Sequence, residues 1–175
     1  VQAVRESKPS PATGEAAEEE GRFAFLVHPL DLRNYTEFDR SLEPYSEEEL
    51  KRLSDRFNSQ LEPFVVGRAR VVSATGRRAY GEFVVVPRTT RQLIEGPRKE
   101  NLAVVADAVA LARDRGARIV GLGAYTAIVS RSGLALTDLG VALTTGNSYT
   151  VVAAIEALLE ASSRLGADLA RSTAS

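Results

Sequence analysis

Cysteine, methionine and tryptophan are absent from these 175 residues, and histidine occurs once, at His28. Without cysteine there are no disulfides, no thiolate metal ligands and no thiol nucleophile. A lone histidine with no second histidine or paired carboxylate at ligand spacing excludes a His-based zinc site. Charge of one sign is missing too: 22 Lys and Arg face 23 Asp and Glu, for a net charge of −1. That balance argues against nucleic acid, which requires a concentrated basic face. No apolar run approaches the roughly 18 residues of a membrane span. The first apolar run, Phe23 to Val27, follows an acidic stretch instead of a basic leader, so the expected setting is cytoplasmic.

What is present is 44% hydrophobic residues, enough for one real core. Residues 1–20 are rich in Glu, Ala, Ser and Pro and end in Glu18-Glu-Glu20, the composition of a disordered acidic tail. A folded domain is expected over 21–171. Phe23 to Val27 reads as a strand stopped by His28-Pro29. Ser46 with Glu49 forms a capping box, followed by an apolar helical face at Leu50, Leu53 and Phe57. Phe64 to Ser73 and Arg78 to Val86 read as a hairpin closed by Ala74-Thr75-Gly76. Leu102, Val105, Val109 and Ala112 recur at helical spacing up to Gly116. A strand over Arg118 to Leu122, a short helix, a strand at Val141 and a helix with Val151, Val152, Ile155, Leu158 and Leu159 facing inward complete the chain. This is an α/β pattern: a mixed sheet with a β-hairpin and helices on both faces.

The basic residues concentrate at Arg77-Arg78, with Arg68, Arg70, Arg88 and Arg91 nearby. They read as a solvated hairpin surface. Arginine also suits phosphate, so the alternative is a docking patch for an acidic carrier protein or a phosphopantetheine phosphate.

Two segments place an apolar strand directly before small, hydroxyl-bearing residues and a helix start: Gly121 to Ser130 and Val141 to Thr150. α/β proteins bind ligands there, beyond the carboxyl ends of strands. The candidate substrate-binding residues are therefore Gly123, Tyr125, Thr126, Thr144, Thr145, Gly146, Asn147 and Ser148, with Asn147 or Ser148 as helix N-cap. The same spacing also suits a well-capped strand-to-helix turn with no ligand. His28 reads as structural, and Asp31 as either its orienting partner or a turn cap. Gly121-Leu-Gly123 lacks the third glycine of a dinucleotide fingerprint.

The runs Val71-Val-Ser-Ala-Thr-Gly76, Val120-Gly-Leu-Gly-Ala-Tyr-Thr126 and Thr144-Thr-Gly-Asn-Ser-Tyr-Thr150 resemble, in order and spacing, the N-terminal part of the aldehyde-forming long-chain acyl-[acyl-carrier-protein] reductases and their bacterial relatives. The likeness covers roughly residues 22–171. It implies a substrate-side domain of shikimate-dehydrogenase-like architecture, followed by an NADPH-binding Rossmann domain downstream of residue 175. It also implies an acyl carrier protein or another acyl thioester as partner. In this family a cysteine takes up the acyl group, and none occurs here, so the chain by itself is expected neither to complete the reaction nor to bind NADPH. Tyr125 would line the acyl channel while Thr126 and the Gly123 amide face the reacting carbonyl. Two other functions fit the same residues: the substrate domain of a dehydrogenase acting on a small hydroxy acid, and a non-catalytic module that binds a carrier protein or lipid.

Overall fold

The computed structural model describes residues 21–57, 60–171 and 173; the acidic tail expected over 1–20 lies outside them. Five strands form one sheet in the order β2-β3-β1-β4-β5. These are β1 (Gly21–Val27), β2 (Phe64–Val72), β3 (Arg78–Val85), β4 (Ile119–Leu122) and β5 (Ala142–Thr144). β1 pairs in parallel with β3 and with β4, and β4 in parallel with β5, while β2 runs antiparallel to β3 at the edge. The mixed α/β sheet and its hairpin are as the sequence implies, and Gly76 in the reversal has φ +80°, a conformation glycine adopts without steric cost.

Among the described residues six α-helices accompany the strands: α1 (Tyr35–Phe38), α2 (Glu47–Phe57), α3 (Thr90–Glu95), α4 (Arg98–Asp114), α5 (Ala124–Val129) and α6 (Asn147–Leu165). The Ser46 capping box forms as expected, with the Ser46 N–H donated to Glu49 Oε2 at 2.8 Å. Leu50 is buried on α2; the side chain of Phe57 lies outside the described residues. α3 has its own capping box, Thr89 with Gln92, and Gln92 Nε2 donates to Ser54 Oγ of α2 at 2.8 Å.

Strand side chains alternate between faces. One face of the sheet presents Ala24, Leu26, Val84, Val86, Val120 and Leu122, which pack with Val105, Ala108, Val109 and Ala112 of α4. Removing each such valine or leucine from water contributes on the order of 2 kcal/mol. α4 can carry β3 across to β4 because its apolar residues recur on one side. The opposite face carries Phe23, Phe25 and Phe83, with Phe25 edge-on to Phe83 at 6.4 Å. Gly81 lies beneath the Phe23 ring, and a Cβ on Gly121 would fall 2.5 Å from the Phe25 ring.

The chain divides into two units, Val1–Thr144 and Thr145–Ser175. The second is dominated by α6. The helix carries the expected apolar residues, but the inward orientation does not hold: Val151, Val152, Ile155, Leu158 and Leu159 are each more than half exposed. Periodicity locates an apolar stripe on a helix; whether anything covers the stripe is a matter of tertiary packing.

Candidate functional site

Among the parallel strands, β1 connects to β3 on one side, and β3 connects through α4 to β4 on the other. Strand order therefore reverses between β1 and β4, and the region beyond their carboxyl ends is the topological switch point, the position at which open α/β sheets bind ligands. β1 exits there through His28-Pro29, and β4 through Gly123 into α5.

The two exits are tied together. The backbone N–H of Tyr125 donates to His28 Nε2 at 3.3 Å, and the Tyr125 ring stands edge-on to the imidazole at 5.8 Å. His28 Nδ1 lies 2.9 Å from the carbonyl oxygen of Pro29. That oxygen can only accept, so Nδ1 carries the proton and Nε2 is the bare acceptor that Tyr125 requires. Pro29 O also accepts the N–H of Thr90 at 3.2 Å. Asp31 takes no part: it caps the following turn, accepting from Arg33 N at 2.8 Å and Asn34 N at 3.2 Å.

Ala124, the first residue of α5, has φ +43°. A left-handed alanine costs of order 1 kcal/mol or more and persists where its surroundings over-determine it, commonly at functional turns. Gly123 ahead of it is buried and glycine is obligatory there, because a Cβ would collide with the carbonyl oxygen of Leu26. The space beside Gly121 and Gly123 is filled by the Phe25 ring, so this Gly-x-Gly run serves packing and cradles no phosphate. Thr126 is fully buried with its hydroxyl donated to the Gly123 carbonyl at 2.6 Å. The hydroxyl is spent on that bond within the first turn of α5, and of the three residues at this turn Tyr125 alone presents a half-exposed side chain.

The second predicted segment divides between the units. Thr144 ends β5, exposed, in the first; Thr145 to Ser148 open the second. The N-cap of α6 is Gly146, with φ +73°, and Asn147 is already helical. The capping role assigned to Asn147 or Ser148 is thus corrected. The left-handed glycine ends the loop at residue 146 and makes Asn147 the first helical residue, exposed to solvent.

Sequence reasoning missed a cluster beside His28. Arg88 follows β3, whose register sets Val85 against Val27, so it emerges next to the exit of β1. The solvated-surface reading fails for this arginine, which is 5% exposed. Its guanidinium makes one hydrogen bond, Nη1 to the Pro87 carbonyl at 2.9 Å. Two other buried polar atoms have no partner among the described residues, Tyr35 Oη and Thr90 Oγ1. Burial pushes the Tyr35 hydroxyl up to about 12, against the pull of the nearby Arg88 charge. Burial lowers Arg88 from its ordinary value, offset by Tyr35 and Glu100, though a guanidinium remains charged throughout. The available signal was Pro87-Arg88-Thr89-Thr90, a strand exit followed by a cap.

At the other end of the strands Glu82 is buried beneath arginines. Arg115 grips it bidentately, Nε to Oε2 at 2.6 Å and Nη2 to Oε1 at 2.8 Å, and Arg68 Nε stands 3.4 Å from Oε1. The Arg115 hydrogen bond holds the Glu82 carboxyl below the usual carboxylate range. This satisfied network keeps β2, β3 and the end of α4 together.

Among the described residues no group of three or more His, Asp or Glu could hold a metal ion, and no helix is long and apolar enough to cross a membrane. No family model matches the chain. It is similar to Aminotransferase PigE of Serratia sp. (strain ATCC 39006), 33% identical over 150 residues, which is 82% of this chain and 17% of that protein. The chain thus spans about a sixth of the length of the relative it matches. The cofactor that aminotransferases use is pyridoxal phosphate, which such enzymes hold on a lysine. Lys51 and Lys99, the lysines among the described residues, are both exposed on helices, so these residues do not fit that group.

Proposed function

We propose that this chain is the substrate-side α/β part of a longer biosynthetic enzyme acting on a carbonyl compound, with an acyl thioester reduced to an aldehyde as the reaction. One observation carries this reading: the β1 and β4 exits meet at the topological switch point, where His28 holds the strained Ala124-Tyr125 turn in place. That turn is the same Gly-Ala-Tyr-Thr run on which the acyl-thioester reductase resemblance rests. The named activity of the relative is compatible with it in chemical terms, since the carbonyl of an aldehyde can serve an aminotransferase as amino-group acceptor.

In this reading Tyr125 lines the acyl path, and an acyl carrier protein or another acyl thioester is the partner. NADPH and the nucleophilic cysteine belong outside these 175 residues, because the glycines at the β4 exit are occupied by Phe25. Any pyridoxal phosphate also belongs outside them.

The test is to incubate the full-length protein with a long-chain acyl thioester and NADPH, following absorbance at the nicotinamide band and trapping the aldehyde. Aldehyde formation that falls at least tenfold in Tyr125→Ala, in a variant that remains folded, supports the reading. Absence of thioester-dependent NADPH oxidation, or wild-type turnover by Tyr125→Ala, rejects it.

A further inference from the structure

Among the described residues Arg88 has no ion-pair partner, in a place that should not tolerate a lone cation. It is 5% exposed, and its one side-chain hydrogen bond is to the carbonyl of its own neighbour, Pro87. Burying a guanidinium is costly unless its charge is matched and its donors are filled. Surface arginines in this chain are treated differently: Arg91 pairs with Glu95 at 2.7 Å and Arg164 with Glu160 at 2.6 Å. Two buried hydroxyls without a partner among the described residues belong to Tyr35, which interacts electrostatically with Arg88, and to Thr90, two residues further along the chain.

These absences are complementary. The guanidinium needs an acceptor carrying negative charge, and the two hydroxyls are donors without acceptors. From this geometry we infer that Arg88, Tyr35 and Thr90 form a binding site for a single oxyanion group, the phosphate or carboxylate of a small-molecule ligand. Arginine presents two parallel N–H groups to either oxyanion, and hydroxyls complete the remaining lone pairs. The charged groups that face Arg88 fit this assignment. Tyr35 is neutral, and Glu100, at the start of α4, attracts it from a distance without forming an ion pair.

The site is also placed to matter. Thr90 and His28 share the Pro29 carbonyl as acceptor, at 3.2 and 2.9 Å, so an anion held by Thr90 would lie next to the imidazole that supports the Tyr125 turn. This assignment rests on Arg88 and the two hydroxyls and stands independently of the reaction served at the neighbouring strand exits.

The experiment measures thermal stability of the full-length protein against rising inorganic phosphate and, separately, rising formate, each compared with chloride at matched ionic strength. A ligand that binds only the folded state raises the melting temperature with concentration. A response to phosphate alone identifies a phosphate-bearing ligand, one to formate alone a carboxylate, and one to both an oxyanion site that accepts either. In Arg88→Gln the apparent affinity should fall at least about tenfold. Should that variant not fold, Thr90→Val and Tyr35→Phe each remove one hydroxyl and should weaken binding by roughly threefold or more. Wild-type protein that responds to neither anion beyond chloride overturns the assignment. So does an unchanged response in Arg88→Gln or, where that variant is not folded, in both hydroxyl variants.

Discussion

His28 Nε2 accepts the backbone N–H of Tyr125, joining two residues 97 positions apart at the carboxyl ends of neighbouring strands. The bond fixes the imidazole tautomer through Pro29 and holds α5 at the angle set by its left-handed first residue. Replacing His28 with leucine leaves the Tyr125 N–H without its acceptor. The expected cost is about 1–3 kcal/mol in denaturant unfolding. Amide exchange at Tyr125 should be faster than at the rest of α5. Unchanged exchange at that amide would show that the bond does not form in solution.

The Glu82 carboxyl is held below its ordinary value of 4.5 by Arg115. A depressed carboxylate contributes stability that is fully present above the unfolded-state value and is lost as pH falls through the folded one. Wild-type protein should therefore lose stability below about pH 4.5, and Glu82→Gln should lose less of its own over the same range. At neutral pH the variant should be less stable by roughly 1–3 kcal/mol, since Arg115 and Arg68 are partly solvated and tolerate the loss better than fully buried cations. Parallel acid limbs for the two proteins would contradict the assigned ion pair.

Tyr35 has its hydroxyl raised to about 12 by burial. Its ionisation, followed by ultraviolet absorbance, should come at higher pH than the ordinary tyrosine value of 10.0. Because the folded state resists ionisation, stability should fall as pH rises above the ordinary value of 10.0. In anion-free buffer, Tyr35→Phe removes a buried donor that has no acceptor. The result should be neutral or stabilising by up to about 1 kcal/mol. A loss of several kcal/mol would reveal a partner for this hydroxyl inside the protein.

Gly123→Ala sets a methyl group against the Leu26 carbonyl oxygen. The strand exit must move, and the expected loss is at least about 1–3 kcal/mol. Gly76→Ala meets no atom within 4 Å, so its penalty is limited to the left-handed backbone, on the order of 1 kcal/mol. Comparing the two melting temperatures separates steric conflict from conformational preference.

Asn147→Ala should change stability by less than about 0.5 kcal/mol, because Gly146 holds the cap and the asparagine is exposed. If the turn touches the substrate, turnover should fall by about 10- to 1000-fold with little change in affinity. A stability loss of about 1 kcal/mol with full turnover would restore the capping role.

Local chemistry determined much of this protein before any folding is considered. The capping box at Ser46, the Gly76 reversal, the apolar stripe of α4 and the strand ending at Pro29 follow from interactions within a few residues, and each is found where the sequence put it. The absence of cysteine likewise means that none of these 175 residues supplies a thiol. The β4 exit could be singled out as a candidate because strand-to-helix turns carry their own signature. Tertiary structure alone decided which strand lies beside it, and so that His28 meets Tyr125. It also decided that Arg88 is buried while Arg91, three residues on, is solvated, and that the apolar row of α6 is exposed. Burial is set by what arrives from elsewhere in the chain, and a pattern read along one segment carries no information about its neighbours in space.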